Sequence, residues 1–96
     1  MTTLGDIMSA LRRERARLFA TYGLKSMALF GSATRNDLGS ESDVDIMVEF
    51  NRPIGIEFVE LADELESIVH RKVDLVTRGS IKDRYLPFIL PDLQYV

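Results

Sequence analysis

Asp43-Val44-Asp45-Ile46-Met47-Val48-Glu49-Phe50 is the stretch that decides the fold of this chain. Val44, Ile46, Val48 and Phe50 alternate with Asp43, Asp45, Met47 and Glu49, so the two sets leave opposite faces of an extended strand. The first set is a core row, and the second carries two aspartates side by side. Downstream, Asn51-Arg52-Pro53 breaks the strand. Ile54, Phe58, Leu61, Leu65, Ile68 and Val69 then recur at helical spacing, with Glu57, Glu60, Asp63, Glu64 and Glu66 mostly on other faces, which predicts a helix over 54–70. Val73-Asp74-Leu75-Val76, bounded by Gly79, predicts a short strand. Pro87 and Pro91 interrupt any helix in the tail from Ile81 to Val96, so its conformation stays open.

Upstream, residues 33–42 are polar and rich in turn formers, a loop with room for one helical turn. Ser26-Met27-Ala28-Leu29-Phe30 is short and uncharged, as in a strand buried on both faces, and it ends at Gly31-Ser32. Leu4, Ile7, Met8, Leu11, Leu18, Phe19 and Tyr22 fall on one helical stripe. Thr3 with Asp6 reads as a capping-box variant and Gly23 as the stop, which predicts a helix over 4–22. Helices alternating with period-two strands in so short a chain give an α/β (α+β) class, a small mixed β-sheet with helices packed on it.

Composition narrows the function classes. At 96 residues the chain fits one small domain, 1–96, and 46% hydrophobic content supports a core without staples and excludes disorder. Twelve Lys and Arg against fifteen Asp and Glu leave a charge of −3, so bulk nucleic-acid binding is not expected. The absence of cysteine removes thiolate metal sites, disulfides and thiol nucleophiles. No apolar run is long enough to span a membrane, and Asp6, Arg12 and Arg13 stand where a signal peptide would need an apolar core. The expected location is therefore cytoplasmic.

Asp43 and Asp45 project from one face and repel each other unless a cation lies between them. Hard divalent ions, Mg²⁺ above all, prefer carboxylate oxygen and need few protein ligands when substrate phosphates complete the shell. Asp74 lies in the next predicted strand, and three acids from two neighbouring strands suit two metals about 3.5 to 4 Å apart. Alone, aspartate in a strand marks only an exposed edge, and Gly31-Ser32 alone is an ordinary turn, although its glycine allows a phosphate to approach the backbone closely. Together, Gly31-Ser32, ten residues and Asp43-Val44-Asp45 would match by chance in about one chain per thousand of this length.

That combination, with a third Asp in a later strand, resembles the nucleotidyltransferase superfamily that includes DNA polymerase beta. Leu29-Phe30-Gly31-Ser32-Ala33-Thr34-Arg35, Ser42-Asp43-Val44-Asp45-Ile46-Met47-Val48, Val73-Asp74-Leu75-Val76-Thr77 and the terminal Tyr95-Val96 look like its minimal nucleotidyltransferases. The resemblance implies a polymerase beta-like core in which Gly31 and Ser32 hold the β- and γ-phosphates of a nucleoside triphosphate. It implies that Asp43 and Asp45 bind two Mg²⁺ and that Asp74 completes the metal site nearest the attacking hydroxyl and accepts its proton. Arg35 matches the family's Gly-Ser-x-Ala-Arg-Gly in part, while Thr34 and Asn36 depart from it. Arg35 is either a phosphate or partner contact or a solvated loop cation.

The resemblance further implies transfer of AMP from ATP to a hydroxyl. In that family such chains are antitoxins that adenylylate a tyrosine of a HEPN-domain ribonuclease toxin, within a hetero-oligomer. Two other readings stay open: a binding-only antitoxin that blocks its toxin by surface contact, and transfer to a small molecule of the aminoglycoside type. Arg12, Arg13, Arg15 and Arg17 read as a solvated helix face in preference to a docking patch. His70 reads as a cation at a helix C-terminus, and Tyr22, Tyr85 and Tyr95 as packing residues in preference to acceptors of self-modification.

Overall fold

The computed structural model describes residues 3–35, 39 and 42–96. The element order is α1 (Leu4–Tyr22), β1 (Leu24–Phe30), β2 (Val44–Phe50), α2 (Glu57–Val69), β3 (Val73–Thr77), α3 (Leu86–Ile89) and β4 (Gln94–Tyr95), with short 3-10 turns at Gly31–Ala33, Arg78–Ser80, Asp83–Tyr85 and Leu90–Asp92. The mixed sheet runs β3-β2-β1-β4, with β2 antiparallel to β1, β1 antiparallel to β4, and β2 parallel to β3. A parallel pair needs a crossover, and α2 supplies it.

α1 begins and ends where its cap residues require. The Thr3 hydroxyl accepts from the Asp6 backbone N–H while the Asp6 carboxylate accepts from that of Thr3, and Gly23 closes the helix at φ 66°. β1 starts two residues earlier than its uncharged run suggests, because Leu24 pairs with Phe50 across an irregularity before Ser26. β2 begins at Val44, which leaves Asp43 just outside the ladder. α2 begins at Glu57, not at residue 54: Gly55 N–H donates to the Glu57 carboxylate, and Ile56 is the cap. His70 stands at the C-terminal end of α2 as expected, as its left-handed cap just past the last helical residue, at φ 57°.

The tail combines short helical turns with a final strand. Pro87 sits in the first turn of the four-residue α3, where a missing N–H costs nothing, and the chain then returns to add β4 beside β1. Of the loop expected over 33–42, the 3-10 turn takes Ala33, while residues 36–38, 40 and 41, Asn36 among them, lie outside the described residues.

Both helices pack on one face of the sheet. Ile7, Leu11 and Leu18 of α1 and Leu61 and Leu65 of α2 meet Val44, Ile46 and Val48 of β2 in a single buried cluster. Burying each of these side chains is worth about 1.5–3 kcal/mol. The opposite row of β2 is not uniformly wet: Met47 is buried, between Ala28 of β1 and Val76 of β3 on the same rung. Among the described residues no helix is long and apolar enough to cross a membrane.

Candidate active site

The site is built at the ends of β1, β2 and β3. In the parallel β2–β3 ladder Asp45 stands directly opposite Asp74, and across the antiparallel ladder it stands opposite Phe30. Residues paired in this way share a face, so both carboxylates lie on the side of the sheet away from the helices. Asp45 is half-buried and Asp74 exposed.

The Asp45 carboxyl is pushed above the ordinary carboxylate range by burial, by the charges of Asp74 and Asp43 and by a hydrogen bond shared with Asp74, against a smaller opposing pull from Arg35. Two carboxylates in contact can share a proton or hold a cation between them. Carboxylate oxygens are the donor set that a hard divalent ion prefers, and the strain between these two is what such an ion relieves, so the residues fit Mg²⁺. Asp43 is exposed, one residue before the strand. Among the described residues no three His, Cys, Asp or Glu side chains converge as a ready-made metal cage. The assembled unit is the Asp45–Asp74 pair, with Asp43 at its mouth.

Gly31 follows β1 at φ 72°, a left-handed conformation, and a Cβ there would collide with Asp45 Oδ2. The turn therefore needs glycine twice, for its backbone and for its neighbour. Thr34 N–H and Oγ1 both donate to the Gly31 carbonyl, at 3.1 and 2.9 Å, and Arg35 N–H donates to the Ser32 carbonyl at 3.2 Å. Ser32 thus sits in a fixed turn beside Asp45. Arg35 is exposed and lies 3.7 Å from Asp92 of the tail, so it serves both the turn and the C-terminal segment.

Reasoning from the sequence missed two participants. Thr34 stood there only as a departure from a pattern, yet its hydroxyl closes the Gly-Ser turn, a role that a Thr three residues after a turn glycine signals locally. Arg71 was not singled out at all, and its Nη2 donates to the carbonyls of Gly39 and Ser42, the latter at 2.9 Å. No local signal marks so distant a contact.

The basic run on α1 has structural work. Arg17 is ion-paired to Glu14 at 2.9 Å and to Glu64 at 2.6 Å, and Arg15 stacks over Phe19 and donates to the Val96 carbonyl. Tyr22 is buried and its hydroxyl donates to Glu64, whereas Tyr85 and Tyr95 are about half exposed. A concavity of about 380 Å³ lies between α1 and α2, lined by Arg13, Arg17, Glu64 and His70 among others, and Asp43, Asp45 and Asp74 are not part of its lining. The acids sit instead on an open face.

A match to the nucleotidyltransferase domain family spans residues 8–96. Over their full lengths, the chain is 46% identical across 100 residues to MJ1379 of Methanocaldococcus jannaschii, provisionally named a protein adenylyltransferase. It is 35% identical across 97 residues to the protein adenylyltransferase MntA of Thermococcus cleftensis, with all of this chain and 98% of that one covered. Among solved structures, one chain of a toxin–antitoxin complex with AMP-PNP superposes with a TM-score of 0.70 at 26% identity, covering 86% of this chain and 69% of that one. A mixed sheet with helices packed on it agrees with those matches, and the chain belongs to the nucleotidyltransferase domain family.

Proposed function

We propose that this nucleotidyltransferase transfers AMP from ATP to a hydroxyl of another folded protein, a tyrosine of a HEPN-domain ribonuclease toxin, and that it acts as the toxin's antitoxin in a cytoplasmic hetero-oligomer. The observation that carries this reading is the register of Asp45 against Asp74 beside Gly31. Two acids beside a glycine turn whose backbone a phosphate can approach support this reading. A relative named protein adenylyltransferase and a neighbour that is a toxin–antitoxin complex with AMP-PNP support the acceptor class. The exposed placement of Asp43 and Asp74 supports it too, since a small molecule is ordinarily held in a walled cleft.

In this reading the Gly31 turn and Ser32 bind the β- and γ-phosphates, and Arg35 offsets their charge. Asp43, Asp45 and Asp74 would hold two Mg²⁺, which when bound supply acidity to the attacking hydroxyl and neutralise the leaving pyrophosphate. The hydroxyl oxygen forms a bond to the α-phosphorus, the bond from that phosphorus to the bridging oxygen breaks, and Asp74 takes the hydroxyl proton. Asp45, half-buried between β1 and β3, fixes the position at which this happens.

The experiment incubates the chain with α-labelled ATP, Mg²⁺ and the cognate toxin, and compares wild type with Asp45→Asn and Asp74→Asn. Label on a toxin tyrosine is expected from wild type, with a loss of about a thousandfold or more in each variant. Label that survives both substitutions overturns the reading. Toxin silencing that survives without label identifies a binding-only antitoxin.

A further inference from the structure

We infer that Arg71 is a positioning residue for nucleotidyl transfer, holding Asp43 against the Asp45–Asp74 pair; the inference rests on the function proposed above. Asp43 lies outside the β2 ladder and is exposed, so neither strand pairing nor packing fixes it. Its backbone is instead bracketed by two consecutive residues entering β3. On one side the Ser42 carbonyl accepts from Arg71 Nη2 at 2.9 Å, and on the other the Val44 N–H donates to the Lys72 carbonyl at 2.8 Å.

The same Nη2 also reaches the Gly39 carbonyl. Gly39 and Ser42 also bond each other, since Ser42 N–H donates to the Gly39 carbonyl at 3.2 Å and Gly39 N–H to Ser42 Oγ at 3.1 Å. One guanidinium therefore holds Gly39 together with Ser42, the residue that precedes Asp43.

Arg71 is anchored in its turn. It follows the left-handed His70 cap of α2, and two residues later the Val73 N–H donates to the Glu66 carboxylate at 2.9 Å. The clamp thus starts from the β3 side, the same side that carries Asp74.

The Arg71 Nε is buried and has no hydrogen-bond partner among the described residues, so the contacts that the structure gives its guanidinium are those to Gly39 and Ser42. Both bonds that matter come from one nitrogen, so lysine, whose ammonium carries three donors, is the variant that retains the donor count.

The test uses the full chain with its acceptor protein and compares wild type with Arg71→Met, Arg71→Gln and Arg71→Lys. It measures kcat and KM for ATP, and separately Mn²⁺ binding in the presence of AMP-PNP, read as loss of the free-ion paramagnetic resonance signal. Arg71→Met is expected to lower kcat and Mn²⁺ affinity by about 10- to 100-fold. KM for ATP should stay within about threefold of wild type, and Arg71→Lys should restore both lowered quantities to that range. Unchanged Mn²⁺ affinity in folded Arg71→Met overturns the inference, as does an Arg71→Lys chain no better than Arg71→Met. Should Arg71→Met fail to fold by circular dichroism, Arg71→Gln is judged by the same two criteria. Asp45→Asn separates the two readings. If it binds Mn²⁺ and transfers AMP as wild type does, the proposed function fails; if it loses both while Arg71→Met keeps both, only the role of Arg71 fails.

Discussion

The two ends of β1 carry the same backbone device for opposite purposes. Gly23 precedes the strand at φ 66° and Gly31 follows it at φ 72°. At either position a side chain would be strained by the left-handed backbone alone. What differs is the neighbour. A Cβ on Gly23 would lie 2.6 Å from Arg52 Nη1 and 2.8 Å from Asn51 Oδ1, the far ends of flexible, exposed side chains. A Cβ on Gly31 would meet the carboxylate of Asp45, which is held between two strands and against Asp74. One glycine turns a helix into a strand, and the other keeps space at the acids. A shared left-handed φ therefore carries no functional meaning until the residue across from it is known.

The largest effect expected from breaking this comparison is Gly31→Ala. Displacing Asp45 by even part of a side-chain rotation should lower AMP transfer by about a hundredfold, measured as label on the acceptor per folded molecule. Full activity in that variant would mean that the space at Asp45 is incidental.

Gly23→Ala comes next. Its backbone strain of about 1–2 kcal/mol should lower the melting temperature by about 4–8 °C per kcal/mol, with transfer per folded molecule unchanged. The two alanine variants should melt alike and differ only in activity. If Gly23→Ala loses activity while folded, the two ends are not separable.

The smallest effect concerns Tyr22, the residue just before Gly23. Burial raises its phenol from 10.0 to about 12, helped by the hydrogen bond to Glu64 and by that residue's charge. Between those two values the unfolded chain releases the proton and the folded chain keeps it, so stability falls as pH rises through this window. Tyr22→Phe should flatten that fall in denaturant titrations above pH 10, and transfer at neutral pH should not change. An unaltered alkaline slope would show that the phenol does not govern this end of β1.

Much of the architecture was legible in the sequence because it is local. The Thr3–Asp6 box and Gly23 fix α1, and the strict alternation from Val44 to Phe50 fixes β2 and the face that Asp45 takes. The fold class, a mixed sheet with helices on it, followed from that alternation of elements. The remainder is tertiary. β4 is two residues long and exists only because β1 offers an unpaired edge, and no periodicity fits in two residues. Asp74 was visible as an acid in a strand, but that it stands opposite Asp45 on the same rung is a matter of parallel register, set by how α2 docks. Met47 belongs by alternation to the row of the acids and was read with them; the neighbours that bury it, Ala28 and Val76, come from other strands. Thr34 and Arg71 act through the Gly31, Gly39 and Ser42 carbonyls, and a carbonyl leaves no trace in a sequence pattern.

The crossover through α2 has a consequence for the acid pair. Asp45 and Asp74 share a rung only while Leu61 and Leu65 keep that helix seated on β2 and β3. Releasing α2 would remove the support for that parallel register while the antiparallel β1–β2 pairing keeps its own hydrogen bonds, so the acid pair depends on a helix that contributes none of its residues.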